Sequence, residues 1–243
     1  MTEANKPFRI EVTIAAPVDE VWRSLRDPDL IRRWHGWDFE DPNGGLDAEI
    51  DFIYRQHATP DEAEHTLALG DGSTFTLHDA GAGATMIRLV RSPRDDNSEW
   101  ADYWEDINEG WVTFLHQLRF ALERHPGAER RTLFFSGQPG PAGEPRAALG
   151  LDRLAGLAPG EPYSAELVGA PAAGQVWFHS ARQIGLSVDS WGDGLMIVGT
   201  APPSPVRPNP QAMAVLTTYA LADKEFDDLR DRWTRWWEQT FTS

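Results

Sequence analysis

Few residues in this chain have both the type and the position to do chemistry. Tyr54 and His65 are the two that suit acid or base work. Alternation puts Ile50, Phe52 and Tyr54 on one face of a predicted strand, and His65, Leu67 and Leu69 on one face of the next. A hydroxyl and an imidazole would then point the same way as the apolar side chains, where burial shifts their pKa values. The bland reading stands beside this one: Tyr54 carries its hydroxyl to solvent, His65 makes an ordinary hydrogen bond at a rim, and no residue is assigned as catalytic. The other histidines, His35, His57, His78, His116, His125 and His179, are scattered with no helical i, i+4 pair, so no metal site is expected. Asp95-Asp96 and Asp227-Asp228 lack the loop spacing of a calcium site and read as solvated faces. The absence of cysteine removes disulfides and thiolate catalysis. No P-loop, G-x-G-x-x-G, G-x-S-x-G or H-E-x-x-H run occurs, and no cofactor is expected.

Polar groups with so little signature depend on the elements that hold them. From Ala101 to Arg124 the residues Trp104, Ile107, Trp111, Leu115, Leu118 and Leu122 recur at helical spacing, and Phe114 widens the stripe. The opposite side carries Asp102, Glu105, Asp106, Glu109, His116, Gln117 and Glu123, which predicts a helix with one face on a sheet and the other in water. Ahead of it, Phe8, Ile10, Val12 and Ile14 alternate as a strand, and Pro17 opens a short helix with Val18, Val21, Trp22 and Leu25 on its stripe. Asp27-Pro28 restarts a second short helix through Leu30, Ile31 and Trp34, which Gly36 ends. Besides the two strand faces above, Phe75 and Leu77 mark a third strand and Ile87 and Leu89 a fourth. Asn43-Gly44-Gly45, Gly70-Asp71-Gly72 and Gly81-Ala82-Gly83 supply turns, and Ser92 to Glu99 reads as an acidic loop into the long helix.

The run IAAPVDEVWRSLRDPDLIRRWHGWD, Ile14 to Asp38, resembles the opening of the START-like or SRPBCC superfamily, in the branch similar to the C-terminal domain of the activator of Hsp90 ATPase. INEGWVTFLHQLRFALE, Ile107 to Glu123, is similar to that family's closing helix. The resemblance brackets residues 8 to 124. It implies an α+β helix-grip: a curved antiparallel sheet wrapped around one long helix, with a cavity between them.

The plan recurs. Trp111 aligns with Trp233 and Arg9 with Arg131, at one shared offset of 122 residues, and RTLFFS, Arg131 to Ser136, again reads as a strand. His125-Pro126-Gly127-Ala128 stops the first long helix, so the expected organisation is a helix-grip domain over 1–125 and a second, divergent copy over 126–243. In the second half, a short helix through Leu149 to Leu157 precedes strands at 163–167, 175–180, 183–188, 195–201 and 212–221. Pro202 to Pro210 reads as a stiff extended loop or an edge excursion, and a closing helix starts at Asp223.

Composition bounds the function. A formal charge of −16 and a pI of about 4.7 exclude nucleic acid and anionic membrane as partners, since both select concentrated positive charge. No apolar run is long enough to span a bilayer and the start lacks the pattern of a signal peptide, which together point to the cytoplasm. Eleven tryptophans imply either a thick core or an apolar cavity. The leading expectation is a non-enzymatic binder of an apolar small molecule. A cyclase or dehydratase using Tyr54 or His65, as the resemblance allows, stands second, and a chaperone-associated interaction protein third. Nothing in the sequence sets the oligomeric state. The ligand cavity is expected in the first half, lined by Trp34, Phe52, Tyr54, His65 and Leu67 together with Phe75, Ile87, Trp104, Trp111 and Leu115.

Overall fold

The computed structural model describes residues 6–95 and 101–242. Its chain divides into two compact units, residues 1–128 and 129–243. In unit 1, β1 (Phe8–Ile14) leads into α1 (Val18–Arg26) and α2 (Pro28–Ile31). Asp27 caps α2 by accepting from the Asp29 N–H at 3.0 Å. After α3 (Gly45–Asp51) come β2 (Ala58–Asp61), β3 (Thr66–Leu69), β4 (Ser73–Gly81) and β5 (Ala84–Arg91), and α4 (Trp104–Arg124) closes the unit. The sheet runs β1-β5-β4-β3-β2, antiparallel throughout, so the first and last strands pair, with Val12 opposite Ile87.

The core of unit 1 lies between this sheet and α4. Ile14, Leu67, Phe75, Ile87, Leu89, Leu115 and Leu118 are fully buried there. Each large apolar side chain so buried contributes about 1.5–3 kcal/mol. Helix and sheet are also tied by polar bonds, for the Ala15 N–H donates to Glu123 Oε1 at 2.9 Å.

Unit 2 repeats the order. β6 (Arg130–Gly137) is followed by α5 (Pro145–Ala148), a 3₁₀ turn at Leu151–Leu154, then β7 (Pro162–Leu167), β8 (Ala170–His179), β9 (Gln183–Val188), β10 (Gly194–Ala201), β11 (Gln211–Tyr219) and α6 (Asp223–Thr240). Its sheet runs β6-β11-β10-β9-β8-β7 and is antiparallel, again with first and last strands paired. The Pro-rich stretch 202–210 lies outside every strand. Each unit is therefore a helix-grip, a meander of strands closed by the first strand and held by its own C-terminal helix, and the chain carries two tandem copies.

Three expectations are corrected. Residues 45–56 are helical, not a strand: α3 continues into a wider π-helical turn over Phe52–Gln56, with the His57 N–H reaching Phe52 O at 3.1 Å. Leu46, Ile50 and Tyr54 recur every four residues and are the buried side, so the period of two seen in Ile50, Phe52 and Tyr54 is half of a helical pattern. His65 is not on the inward face of a strand. It ends the turn before β3 in the left-handed region at φ 48°, against the edge of Trp22 with ring centroids 5.5 Å apart. Finally, the side of α4 expected in water is partly buried: Glu109 and Gln117 are withdrawn from solvent, and Gln117 is satisfied by backbone carbonyls. The acidic loop Ser92 to Glu99 lies partly outside the described residues. No described helix is long and apolar enough to cross a membrane.

Candidate functional site

A cavity of about 450 Å³ opens in unit 1 between the first turns of α4 and the helical segment 45–56. It exists because α4 offers a notch there. Ile107, Trp111 and Phe114 project from one side of the helix, and Gly110 among them carries no side chain to fill the space. The facing wall is Phe52, Ile53 and His57 from the π-helical turn and its end, and Leu69 at the end of β3 with Gly70 and Asp71 of the turn after it form the floor. The wider turn matters, because π-helical insertions displace side chains from the α-helical register and recur at functional sites. Tyr54 here points into the core while Phe52, 42% exposed, stands at the cavity.

His35, in the turn that follows α2, supplies the site's central polar group. His35 is completely withdrawn from bulk solvent, yet its ring forms part of the cavity wall. Its backbone N–H closes the end of the helix on Ile31 O at 2.8 Å, and Gly36 takes the left-handed φ of 60° that turns the chain away. From α4, Gln117 Nε2 donates to the carbonyls of Trp34 and Gly36 at 3.0 and 3.2 Å. This clamp fixes the peptide units on either side of the imidazole.

Both ring nitrogens of His35 are engaged. Nε2 lies 3.2 Å from Glu49 Oε1 and Nδ1 lies 3.0 Å from the Tyr54 hydroxyl. A carboxylate only accepts, so in the neutral ring Nε2 carries the proton toward Glu49 and Nδ1 accepts from Tyr54. Burial pushes the Tyr54 hydroxyl well above the usual phenol range, and the negative charges of Glu49 and Asp71 add to the effect, so it remains a donor. The result is a chain from Tyr54 through His35 to Glu49, whose carboxylate sits at the cavity.

A second polar group is held differently. The Asp71 carboxylate accepts from the Ser73 N–H and hydroxyl, both at 2.9 Å, and from Trp111 Nε1 at 3.3 Å. It lies 3.7 Å from Nε of Arg91, which is almost wholly buried and also donates to Trp104 O and Asn108 Oδ1. Asp71 thereby fixes the indole of Trp111 at the wall. Among the described residues no cluster of three His, Asp or Glu is placed to hold a metal.

Of the residues expected to line a cavity, the structure puts Phe52 and Trp111 on its wall. Leu67, Phe75, Ile87 and Leu115 are fully buried in the core behind it. Trp34 is buried as well, donating through Nε1 to Ser24 O at 2.9 Å and meeting the Tyr54 ring edge-on. Tyr54 reaches the site through His35 alone. Trp104 stacks over the Arg91 guanidinium and donates to Ser92 O, and His65 lies beside Asp19 and Trp22, both away from the cavity. Neither His35 nor Glu49 stands out by sequence pattern alone. The one available signal for His35 was its place between Trp34 and Gly36 at a helix end; Glu49 was hidden by taking its segment for a strand.

No family model matches the chain, and no curated protein does. Among solved structures the chain is similar to DynU16, a protein in the dynemicin biosynthetic locus, at 20% identity over 95% of this chain and 94% of that one, with a TM-score of 0.32. It is similar to the di-domain ARO/CYC BexL of the BE-7585A biosynthetic pathway at 13% identity over 96% and 94%, with a TM-score of 0.35. About half of it, 50%, is similar to 99% of Aha1 from Colwellia psychrerythraea at 17% identity, with a TM-score of 0.32. The helix-grip description itself rests on this chain's own strand order and closing helices.

Proposed function

We propose that unit 1 binds an apolar small molecule in the cavity between α4 and residues 45–56. The observation that carries this reading is a space of about 450 Å³ walled by aromatic and aliphatic side chains with a small number of placed polar groups. That is the size and make-up of small-molecule sites. Phe52 and Tyr103, 42% and 48% exposed, flank it, and apolar area of this kind is stabilised when a ligand covers it. Binding without turnover is the leading form of the proposal.

A second form is supported by the Tyr54, His35 and Glu49 chain. A carboxylate at an apolar wall, backed by an oriented imidazole, is the arrangement of a general base, and it suits a cyclase or dehydratase type of reaction.

The test is a titration of the full chain with the neutral fluorophore N-phenyl-1-naphthylamine. Emission should rise and saturate at one equivalent, and Gly110→Leu, which fills the notch, should weaken binding by about tenfold or more. Non-saturating emission, or equal binding by the Gly110→Leu variant, counts against the site. Native mass spectrometry of protein purified from its own cells, repeated after incubation of the released ligand with fresh protein, separates the two forms: recovery of a changed mass supports turnover.

A further inference from the structure

Resting on the binding role proposed above, we infer that the ligand is a cationic amphiphile, an apolar ring body that carries a protonated amine or a quaternary ammonium group. Aromatic rings line the cavity in two groups. Phe114 lies 4.5 Å from His35, 5.8 Å from Trp111 and 6.0 Å from Trp37 between ring centroids, and Phe52 and His57 pair at 4.3 Å on the other side. Aromatic faces attract a cation held within about 6 Å of the ring centre.

The charges at the wall have one sign. Glu49, Asp71 and Asp106 line the cavity, and no lysine or arginine among the described residues does. Asp71 is answered from within, by Arg91 at 3.7 Å. Glu49 is not: its side chain is 37% exposed, and its partner is His35, with no arginine or lysine among the described residues paired to it. A ligand that covered this wall with a neutral body would strip water from the Glu49 carboxylate and return nothing, and an acidic ligand would add repulsion. An ammonium group placed there replaces the lost water with a charge-assisted bond in a site of reduced dielectric. The chain's charge of −16 acts in the same direction by drawing cations toward it.

The experiment compares three probes with one ring system at pH 7 by isothermal titration calorimetry on the full chain: 2-naphthylmethylamine as the cation, 2-naphthylmethanol as the neutral form and 2-naphthoate as the anion. The expected order is amine, then alcohol, then carboxylate, with at least about tenfold between the first two. Glu49→Gln should abolish most of the preference for the amine, by weakening amine binding and relieving the cost that the neutral alcohol meets at the carboxylate, and Asp106→Asn should reduce the preference by a smaller factor. Thermal melts of both variants confirm that they are folded. Alcohol or carboxylate binding as tight as the amine, or an amine preference unchanged in folded Glu49→Gln, overturns the inference and leaves the binding role standing. If none of the three probes binds, the cavity reading falls and the inference with it.

Discussion

Trp111 and Trp233 occupy matching places in the two closing helices and meet opposite surroundings. Trp111 stands at the wall of a cavity, its indole N–H held by Asp71. Trp233 is completely buried, with Phe135 stacked at 6.1 Å, Trp191 edge-on at 6.0 Å and Trp236 at 5.5 Å. The difference begins in the segment ahead of β2 in unit 1 and of β8 in unit 2. Unit 1 spends residues 45–56 on a helix and a π-helical turn that line the cavity together with α4, whereas unit 2 has the extra strand β7 there, paired along its length to β8. One architecture thus supports an open wall or a filled core, according to what a single connecting segment does.

The largest effect should come from truncating the filled core. Trp233→Ala is expected to destabilise unit 2 by about 3–5 kcal/mol, because the neighbours of a fully buried indole cannot collapse into the space it leaves. Trp111→Ala should cost unit 1 roughly 2–3 kcal/mol, since one side of that ring already faces open space. Urea unfolding of the two variants, followed by the remaining tryptophans, measures both. A cost for Trp111→Ala equal to that for Trp233→Ala would mean that the two sites are packed alike and that the contrast is wrong.

A smaller effect separates the outer faces of the helices. His116 on α4 is largely withdrawn from solvent, and burial, with Arg119 beside it, pushes its imidazole down to about 3. At the matching place on α6, Glu238 is exposed. An imidazole in the unfolded chain titrates near 6.5, so between those values the unfolded state binds a proton that the folded state refuses. The stability at stake is intact above the unfolded value and is lost as pH falls toward 3. Lowering the pH from 7.5 to 5 should therefore cost about 1–2 kcal/mol through this group. His116→Gln should flatten that part of the pH dependence, and identical urea midpoints against pH for the variant and the parent would place His116 in water.

The smallest change sharpens the comparison from the other side. A Cβ at Gly110 meets only the Phe114 ring, at 3.5 Å, an ordinary contact, and the position is helical. Gly110→Leu should therefore raise the stability of unit 1 by about 0.5–1 kcal/mol through helix propensity while occupying the notch. A melting temperature that falls instead would show that the notch is needed for the fold.

Much of the architecture was written in local patterns. Period two in Phe8 to Ile14, the Pro17 and Asp27-Pro28 helix starts, and the stripe from Trp104 to Leu122 act over a few residues, and each formed as its spacing dictates. The likeness of the two ends of each half carried the tandem plan, because a closing helix must match the first strand it covers. Where two local patterns fit one stretch, sequence could not choose between them. GLDAEIDFIYRQ alternates and also repeats every four residues, and packing settled it, for only the helix buries Leu46, Ile50 and Tyr54 together against Trp34 and the core.

The site itself was beyond the sequence for a related reason. His35, Glu49, Asp71 and Trp111 are separated by long stretches of chain and become neighbours only when α4 lies over the sheet, with Gln117 locking the turn at His35. Composition required the eleven tryptophans and the acid excess to be placed somewhere. Which tryptophans fill a core, which wall a cavity, and which carboxylate faces that cavity beside His35 are properties of long-range contact, and the tertiary structure alone decided them.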